Sequence, residues 1–112
     1  DPDGPSMDAL AHRYLSKRHR DAPGDGCVLA ALAGDAARQS PPVRAAFTGS
    51  VKRFIDLLGN AIPTRAKAAR RQKAVAACAA MVGALVLSRA VDDAALSEEF
   101  LDAVAAQLPG TH

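Results

Sequence analysis

Aromatic residues are scarce in this sequence, and tryptophan is absent. Aromatics make up 4% of the 112 residues, whereas hydrophobic residues make up 49% and charged residues 23%. This balance excludes a disordered chain, and the length predicts one domain around a single core. The core must be built from aliphatic side chains. Alanine is the commonest residue, and it has the best helix propensity and lets helices approach closely.

Cysteine is also scarce, and the sequence has neither a strong net charge nor a long hydrophobic run. Two cysteines, Cys27 and Cys78, do not make a disulfide framework in a chain of this size, which favours a reducing cytoplasm. A net charge of +2 is too mild to imply nucleic-acid binding by this segment alone. The longest apolar run, Ala74 to Leu87, is shorter than the ~20 residues of a membrane span. It predicts a buried helix.

No catalytic, metal or cofactor motif stands out. His12 and His19 lie about 10 Å apart along a helix, too far for one metal ion. The segment Gly24-Asp25-Gly26 is a turn, since no strand precedes it and no phosphate-binding Lys follows. Cys27 stands at a predicted helix start, after the basic turn that contains Arg20. Such a position can lower the pKa of a thiol, so a redox-active cysteine is one interpretation. A small packing residue is the favoured interpretation. We therefore expect no enzyme and no cofactor.

Apolar residues recur every three or four positions without alternation of period two, which predicts an all-α fold of about five helices in an antiparallel bundle. The first helix is expected from Ser6, its N-cap, to Arg20, and the second over residues 27–39. The third begins at Ser40-Pro41 and ends before Pro63. Its apolar positions are Val43, Phe47, Val51, Phe54, Ile55, Leu58 and Ile62.

The fourth helix, predicted from about Arg65 to Ala90, carries two apolar faces. One is a bulky stripe of Val75, Cys78, Met81, Val82, Leu85 and Val86. The other is a seam of small residues, Ala77, Ala80 and Ala84, followed by Leu87. The fifth helix is expected to start at Ser97 as N-cap and to end at Leu108.

Two apolar faces on one helix need two partners. A second copy of the chain is expected to cover the seam together with the fifth helix, which gives an intermolecular four-helix bundle. The expected dimer-interface residues are Ala77, Ala80, Ala84, Leu87, Leu101, Val104 and Leu108. The alternative is that both faces belong to the internal core.

A basic cluster opens the fourth helix, where positive charge opposes the helix dipole. Its members are Arg65, Lys67, Arg70, Arg71 and Lys73. Attraction of an anionic effector or DNA is one interpretation, and a solvated face is the favoured one.

Two stretches resemble the C-terminal regulatory domain of TetR-family transcription regulators. The first comprises Tyr14-Leu15-Ser16, His19-Arg20-Asp21, Gly26-Cys27, Ala30-Ala31-Leu32-Ala33, Ala36 and Arg38, and is similar to the turn that joins the first two helices of that domain. The second runs from Met81 to Val91 with Leu96-Ser97 and Leu101, and is similar to the paired dimerisation helices.

The resemblance runs from about Asp8 to Leu108 and implies a regulatory domain over residues 6–108. It also implies a bacterial, cytoplasmic homodimer that binds a small effector and controls DNA binding. The family's N-terminal helix-turn-helix domain has no counterpart here, and a start at Asp1 without methionine predicts a fragment or processed product. We do not expect membrane binding.

An apolar or aromatic effector is expected between the first four helices, because ligand sites are mostly apolar with a few polar groups. The candidate residues are Tyr14, Phe47, Phe54, Leu58, Met81 and Leu85. For each of them, plain core packing is the alternative. The competing function is a helical dimerisation or protein-interaction module without a ligand.

Overall fold

All secondary structure in the described part of the chain is helical. A computed structural model of the protein describes residues 6–21, apart from the His19 side chain, together with residues 29 and 33–110. Its elements are α1 (Met7–Tyr14), α2 (Lys17–Asp21), a 3₁₀ turn (Ala36–Arg38), α3 (Pro41–Ala61), α4 (Lys67–Ala90) and α5 (Ala94–Gln107). The predicted all-α class is confirmed. Four of these helices have eight or more residues, and α2 is little more than one turn.

The predicted starts of two helices are confirmed. The Ser6 hydroxyl accepts a hydrogen bond from the backbone N–H of Ala9 at 3.1 Å, as an N-cap does. In α3, Ser40 occupies the N-cap position and Pro41 the first helical position, although no side-chain hydrogen bond caps this helix. Proline suits that position because its missing N–H would be unpaired there anyway.

The expectation of one continuous helix from Ser6 to Arg20 is wrong. The backbone leaves the helical conformation at Leu15, where φ is −95° and ψ is 33°, and the chain then resumes as α2. The hydroxyl of Ser16 donates to the carbonyl of Arg13 at 3.0 Å, a local bond that competes with the helical ladder. The side chain of Leu15 is buried at this break.

The structure tests only part of the predicted second helix. Residues 27, 28 and 30–32 lie outside the described residues, and so does the proposed thiol site at Cys27. Residues 33–35 form a turn and residues 36–38 a 3₁₀ turn, so an α-helix over this part is wrong. Gly34-Asp35 is a strong turn signal that outweighs the flanking alanines.

The last helix begins earlier than expected. Its N-cap is Asp93, whose carboxylate accepts from the backbone N–H of Leu96 at 3.0 Å. The prediction of Ser97 as the cap is therefore wrong, because an equally good capping residue stands four positions before it. Ser97 is instead buried inside the second turn of the helix.

Helix α4 is the centre of the fold and packs against both α3 and α5. The largest fully buried side chains are Met7, Leu58, Met81 and Leu85, which come from α1, α3 and α4. The buried positions of α4 are Ala74, Ala77, Cys78, Met81, Ala84, Leu85 and Ser88.

Of the predicted bulky stripe of α4, Cys78, Met81 and Leu85 are buried. Val75 is not buried, since 44% of its surface is exposed. Val82 and Val86 are half-buried. The physical reason is that α5 packs against α4, which turns small residues of α4 inward and its outlying valines outward.

A chain of polar contacts ties α2, α4 and α5 together at one end. The Arg20 guanidinium donates to the Ser97 hydroxyl at 2.9 Å, and that hydroxyl donates to the Ser88 carbonyl at 2.7 Å. The Arg89 guanidinium donates to the Arg20 carbonyl at 3.1 Å. Buried polar groups need such partners, so this network fixes how α2 docks on the α4–α5 pair.

By length and composition α4 could also cross a membrane, and it is the one helix among the described residues that meets this test. The same test is met by the core helix of a globular protein. In the structure α4 packs against α3 and α5, and 39% of its most apolar stretch is buried.

Replacing Ser97 with alanine should lower the free energy of unfolding by about 1–3 kcal/mol, because it leaves the buried end of the network without its central partner. Urea unfolding followed by circular dichroism measures this loss. The matched control is Ser50→Ala, since Ser50 accepts only an exposed bond from Arg53 at 3.1 Å. Equal losses for the two variants would contradict the structural role given to Ser97.

Candidate effector site and pairing surface

The predicted effector residues meet at the junction of α1, α3 and α4. The ring of Tyr14 on α1 stacks on that of Phe54 on α3, with centroids 5.2 Å apart and an angle of 25° between the planes. Tyr14 is buried and Phe54 half-buried. Such an aromatic pair fixes the relative orientation of the two rings, in addition to the stabilisation that comes from burying them.

Three further candidates form the deepest part of the same core. Leu58, Met81 and Leu85 have no exposed surface at all. Phe47 lies outside this cluster and is half-buried on the first half of α3. The structure thus brings together five of the six candidates in one apolar cluster.

A cavity of about 250 Å³ lies between α3 and α4, but none of the six candidates lines it. Its walls are Ile55, Asp56, Gly59, Asn60, Lys67, Arg70, Arg71 and Ala74. The charged part of this lining comes mainly from the basic cluster at the start of α4. Sequence reasoning missed Asp56 and Asn60, because only the pairing of α3 with α4 places them opposite those basic side chains.

The cavity contains one ion pair. The Arg71 guanidinium lies 3.4 Å from the Asp56 carboxylate, and both side chains are more than half exposed. A pair of this kind contributes little to stability, because water screens the attraction. Among the described residues, no other ion pair involves the basic cluster.

The predicted dimer seam is divided by the fold. Ala77, Ala84, Leu101 and Leu108 are buried within the chain itself, in the contact between α4 and α5 or around it. Val104 is half-buried, and Ala80 and Leu87 are exposed, Leu87 at 44%. Of the expected interface residues, Ala80, Leu87 and part of Val104 are therefore accessible on the surface of a single chain.

A different apolar surface runs along α4, and we call it the outer face of α4. It comprises Val75, Ala76, Ala79, Ala80, Val82, Gly83, Val86, Leu87 and Ala90, all exposed or half-exposed. These positions repeat at helical spacing, so they lie on one side of the helix. No charged residue occurs between Lys73 and Arg89. Sequence reasoning assigned the valines of this surface to the core.

Among the described residues, the pKa values of one neighbouring pair, Arg20 and Asp21, are shifted. The Arg20 guanidinium donates to the Asp21 carboxylate at 2.8 Å, which raises the pKa of Arg20 and lowers the pKa of Asp21. This pair lies at the surface near the polar network. No group of three or more His, Cys, Asp or Glu residues suited to a metal ion occurs in the part of the chain that the structure describes.

Comparisons of this chain with known proteins found no relative. A scan against protein-family models, a search of curated proteins and a search of solved structures each gave no match for this chain.

Proposed function

We propose that this chain is a regulatory domain that pairs with a second copy of itself through the outer face of α4. The observation that carries the proposal is the uncharged run from Ala74 to Ser88. It spans about 22 Å of helix at 1.5 Å per residue. Val75 and Leu87 are each 44% exposed on this surface, and Leu96 on the neighbouring α5 is 38% exposed.

The hydrophobic effect favours the burial of this surface against a partner. Each large aliphatic side chain gains roughly 1.5–3 kcal/mol when it passes from full exposure to full burial, so partly exposed Val75 and Leu87 still offer part of that gain. The alanines and Gly83 between them let a second helix approach closely. Two-fold pairing, in which the same surface serves both copies, is the commonest way to cover such a face.

The regulatory role rests on the resemblance to TetR-family regulators set out above. In that role the domain binds a small apolar or aromatic effector and controls DNA binding by a helix-turn-helix domain. The supporting feature is the cluster of Tyr14, Phe54, Leu58, Met81 and Leu85, which joins α1, α3 and α4. Met81 belongs to α4, the helix that also carries the pairing surface, so a ligand at this cluster would act directly on that helix.

The effector would act by a shift in population. A ligand that favours one arrangement of α1 against α3 and α4 changes the relative orientation of whatever precedes α1 in each half of the dimer. The stacked rings of Tyr14 and Phe54 form the contact through which α1 would follow such a change.

A helical interaction module without a ligand is the second candidate. It is favoured by the packing at the predicted effector site, where Leu58, Met81 and Leu85 are fully buried. The cavity between α3 and α4 is lined by a different set of residues, four of which are charged. Such a module would share the pairing surface and lack the effector.

Replacing Leu87 with glutamate should convert the dimer to a monomer, with an increase in dimer Kd of at least about 100-fold, because the change removes buried apolar area and places a charge in an apolar interface. Sedimentation equilibrium of wild type and variant measures the change.

The matched control is Leu57→Glu, since Leu57 is 39% exposed on α3, away from α4's outer face. This variant should remain dimeric. A wild-type chain that is monomeric at about 100 μM, well above a typical micromolar Kd, would refute the pairing proposal.

Effector binding can be followed through Tyr14, because it is the sole tyrosine and the chain has no tryptophan. Titration with the apolar fluorophore anilinonaphthalene sulfonate should change Tyr14 emission in a saturable way. Met81→Phe should weaken binding about tenfold or more by filling the site, since extra atoms in a packed core leave no room for a ligand.

Leu57→Ala serves as the surface control in this titration and should bind like wild type. If wild type shows no saturable change, or if Met81→Phe binds as wild type does, the ligand-free interaction module is the better description.

A further inference from the structure

The cavity between α3 and α4 has an apolar floor and a polar rim. Ile55 and Ala74 are almost completely buried at the floor, and Gly59 leaves space there because it has no side chain. The rim is formed by the remaining lining residues, Asp56, Asn60, Lys67, Arg70 and Arg71. The cavity volume of about 250 Å³ equals that of about eight waters at ~30 Å³ each, so a ligand of about ten non-hydrogen atoms fits.

The rim carries an excess of positive charge. Three basic side chains and one acidic side chain give it a net charge of +2. The guanidinium of Arg71 lies 3.4 Å from the Asp56 carboxylate, so these two charges offset each other. Lys67 and Arg70 supply the remaining charge, and no hydrogen bond or ion pair joins either side chain to another described residue. They stand three positions apart, which makes them neighbours on the same side of α4.

Arg70 is the most sheltered member of the basic cluster. It is half-buried, whereas the other four members are exposed. Partial burial takes water away from the guanidinium, which is unfavourable unless another acceptor replaces that water. The first turn of α4 has neither an acidic residue nor a side-chain cap, so nothing there offsets the positive end of the helix dipole. An anion in the cavity would satisfy both requirements.

We propose that the cavity between α3 and α4 binds a small molecule through a phosphate group, which Arg70 and Lys67 hold. A phosphate monoester has a charge of about −1.5 to −2 at pH 7, which matches the charge of the rim. The planar guanidinium can donate two parallel hydrogen bonds to phosphate oxygens, and the ammonium of Lys67 adds a point charge beside it. The amide of Asn60, on the facing helix α3, is a further donor. The rest of the molecule would cover the apolar floor at Gly59.

This site is separate from those of the proposed function. None of its residues belongs to the apolar cluster proposed for the effector or to the outer face of α4. The cavity lies on the side of α4 that faces α3, so a ligand there leaves the pairing surface accessible. Failure of either proposal therefore leaves the other standing.

The charge of the rim favours a single phosphate over other anions. A monocarboxylate carries one negative charge and would leave one of the two basic side chains unmatched. A nucleic-acid backbone laid across the rim would also meet the Asp56 carboxylate, and the net charge of +2 on the chain is small for such a partner. A phosphate held at Arg70 and Lys67 matches the charge that the Asp56–Arg71 pair leaves over.

The test is a titration of the full ¹⁵N-labelled chain followed by amide NMR spectra. The probes are inorganic phosphate and the small monoester n-propyl phosphate, each added at constant ionic strength with NaCl as the compensating salt. We expect saturable shifts of the backbone amides of residues 67–71 and of the Asn60 side-chain amide, with a Kd of about 1 mM or lower. Propyl phosphate should bind about threefold more tightly, because its carbon chain covers part of the floor. Tighter binding of inorganic phosphate would instead identify the free ion as the ligand of the same two residues.

Two variants test the residues that hold the phosphate. Arg70→Gln should raise the Kd for propyl phosphate about tenfold, the scale of one charge-assisted hydrogen bond, and Lys67→Gln should raise it about threefold. Lys67 is exposed, so its replacement leaves the packing intact. The matched control is Arg44→Gln, the same loss of charge at an exposed position about 16 Å along α3 from Ile55, and it should leave Kd within about twofold of wild type. Circular dichroism verifies that each variant is folded.

Four results would overturn the proposal. The first is the lack of a saturable shift up to about 20 mM of either phosphate probe, well above the expected Kd. The second is an equal shift with NaCl alone, which would indicate screening. The third is a Kd that neither Arg70→Gln nor Lys67→Gln changes. The fourth is binding of a labelled DNA duplex that Arg70→Gln abolishes and propyl phosphate does not displace, which would assign the rim to nucleic acid.

Discussion

The structure depends on the contact that α4 makes with its two neighbours, which is built largely from small side chains. Ala74, Ala77 and Ala84 are almost completely buried, together with Ser88. Small residues allow helix axes to come close, so the three long helices share one thin core in which a few larger side chains, above all Met81 and Leu85, fill the remaining space. The orientation of α4 about its own axis follows from this contact, and that orientation determines which residues the domain presents at its surface.

One consequence is the apolar outer face of α4. Because the alanines are used inside, Val75 and Leu87 are left outside, and the long uncharged run of α4 lies at the surface along one side. The same arrangement separates the site proposed for the effector from the surface proposed for pairing by the thickness of a single helix. A change in packing at Met81 would reach that surface without any relay through loops.

A second consequence is electrostatic. The antiparallel return of α5 carries the acidic residues back along the last turns of α4, while the basic residues remain at its start. A chain whose net charge is only +2 thus presents two strongly and oppositely charged regions. The small net charge does not reveal these two regions, because it sums the charges and contains no information on where they lie. The polar network of Arg20, Ser88 and Ser97 holds α2 beside the start of α5 and helps to fix this arrangement.

The sequence alone determined the helical class and the limits of α3 and α4, because helix periodicity, N-capping and proline placement act over a few neighbouring residues. It also placed Cys78, Met81 and Leu85 together on one apolar stripe of α4, and the structure shows that all three are buried. The tertiary structure decided which of the two apolar faces of α4 is covered, because Ala77 and Val75 are equally compatible with burial until α5 is seen to pack against one side. It likewise decided that Ser97 serves as a buried bonding partner while Asp93 caps the helix, and that Asp56 faces the basic cluster, since each of these outcomes depends on contacts between residues far apart in the chain.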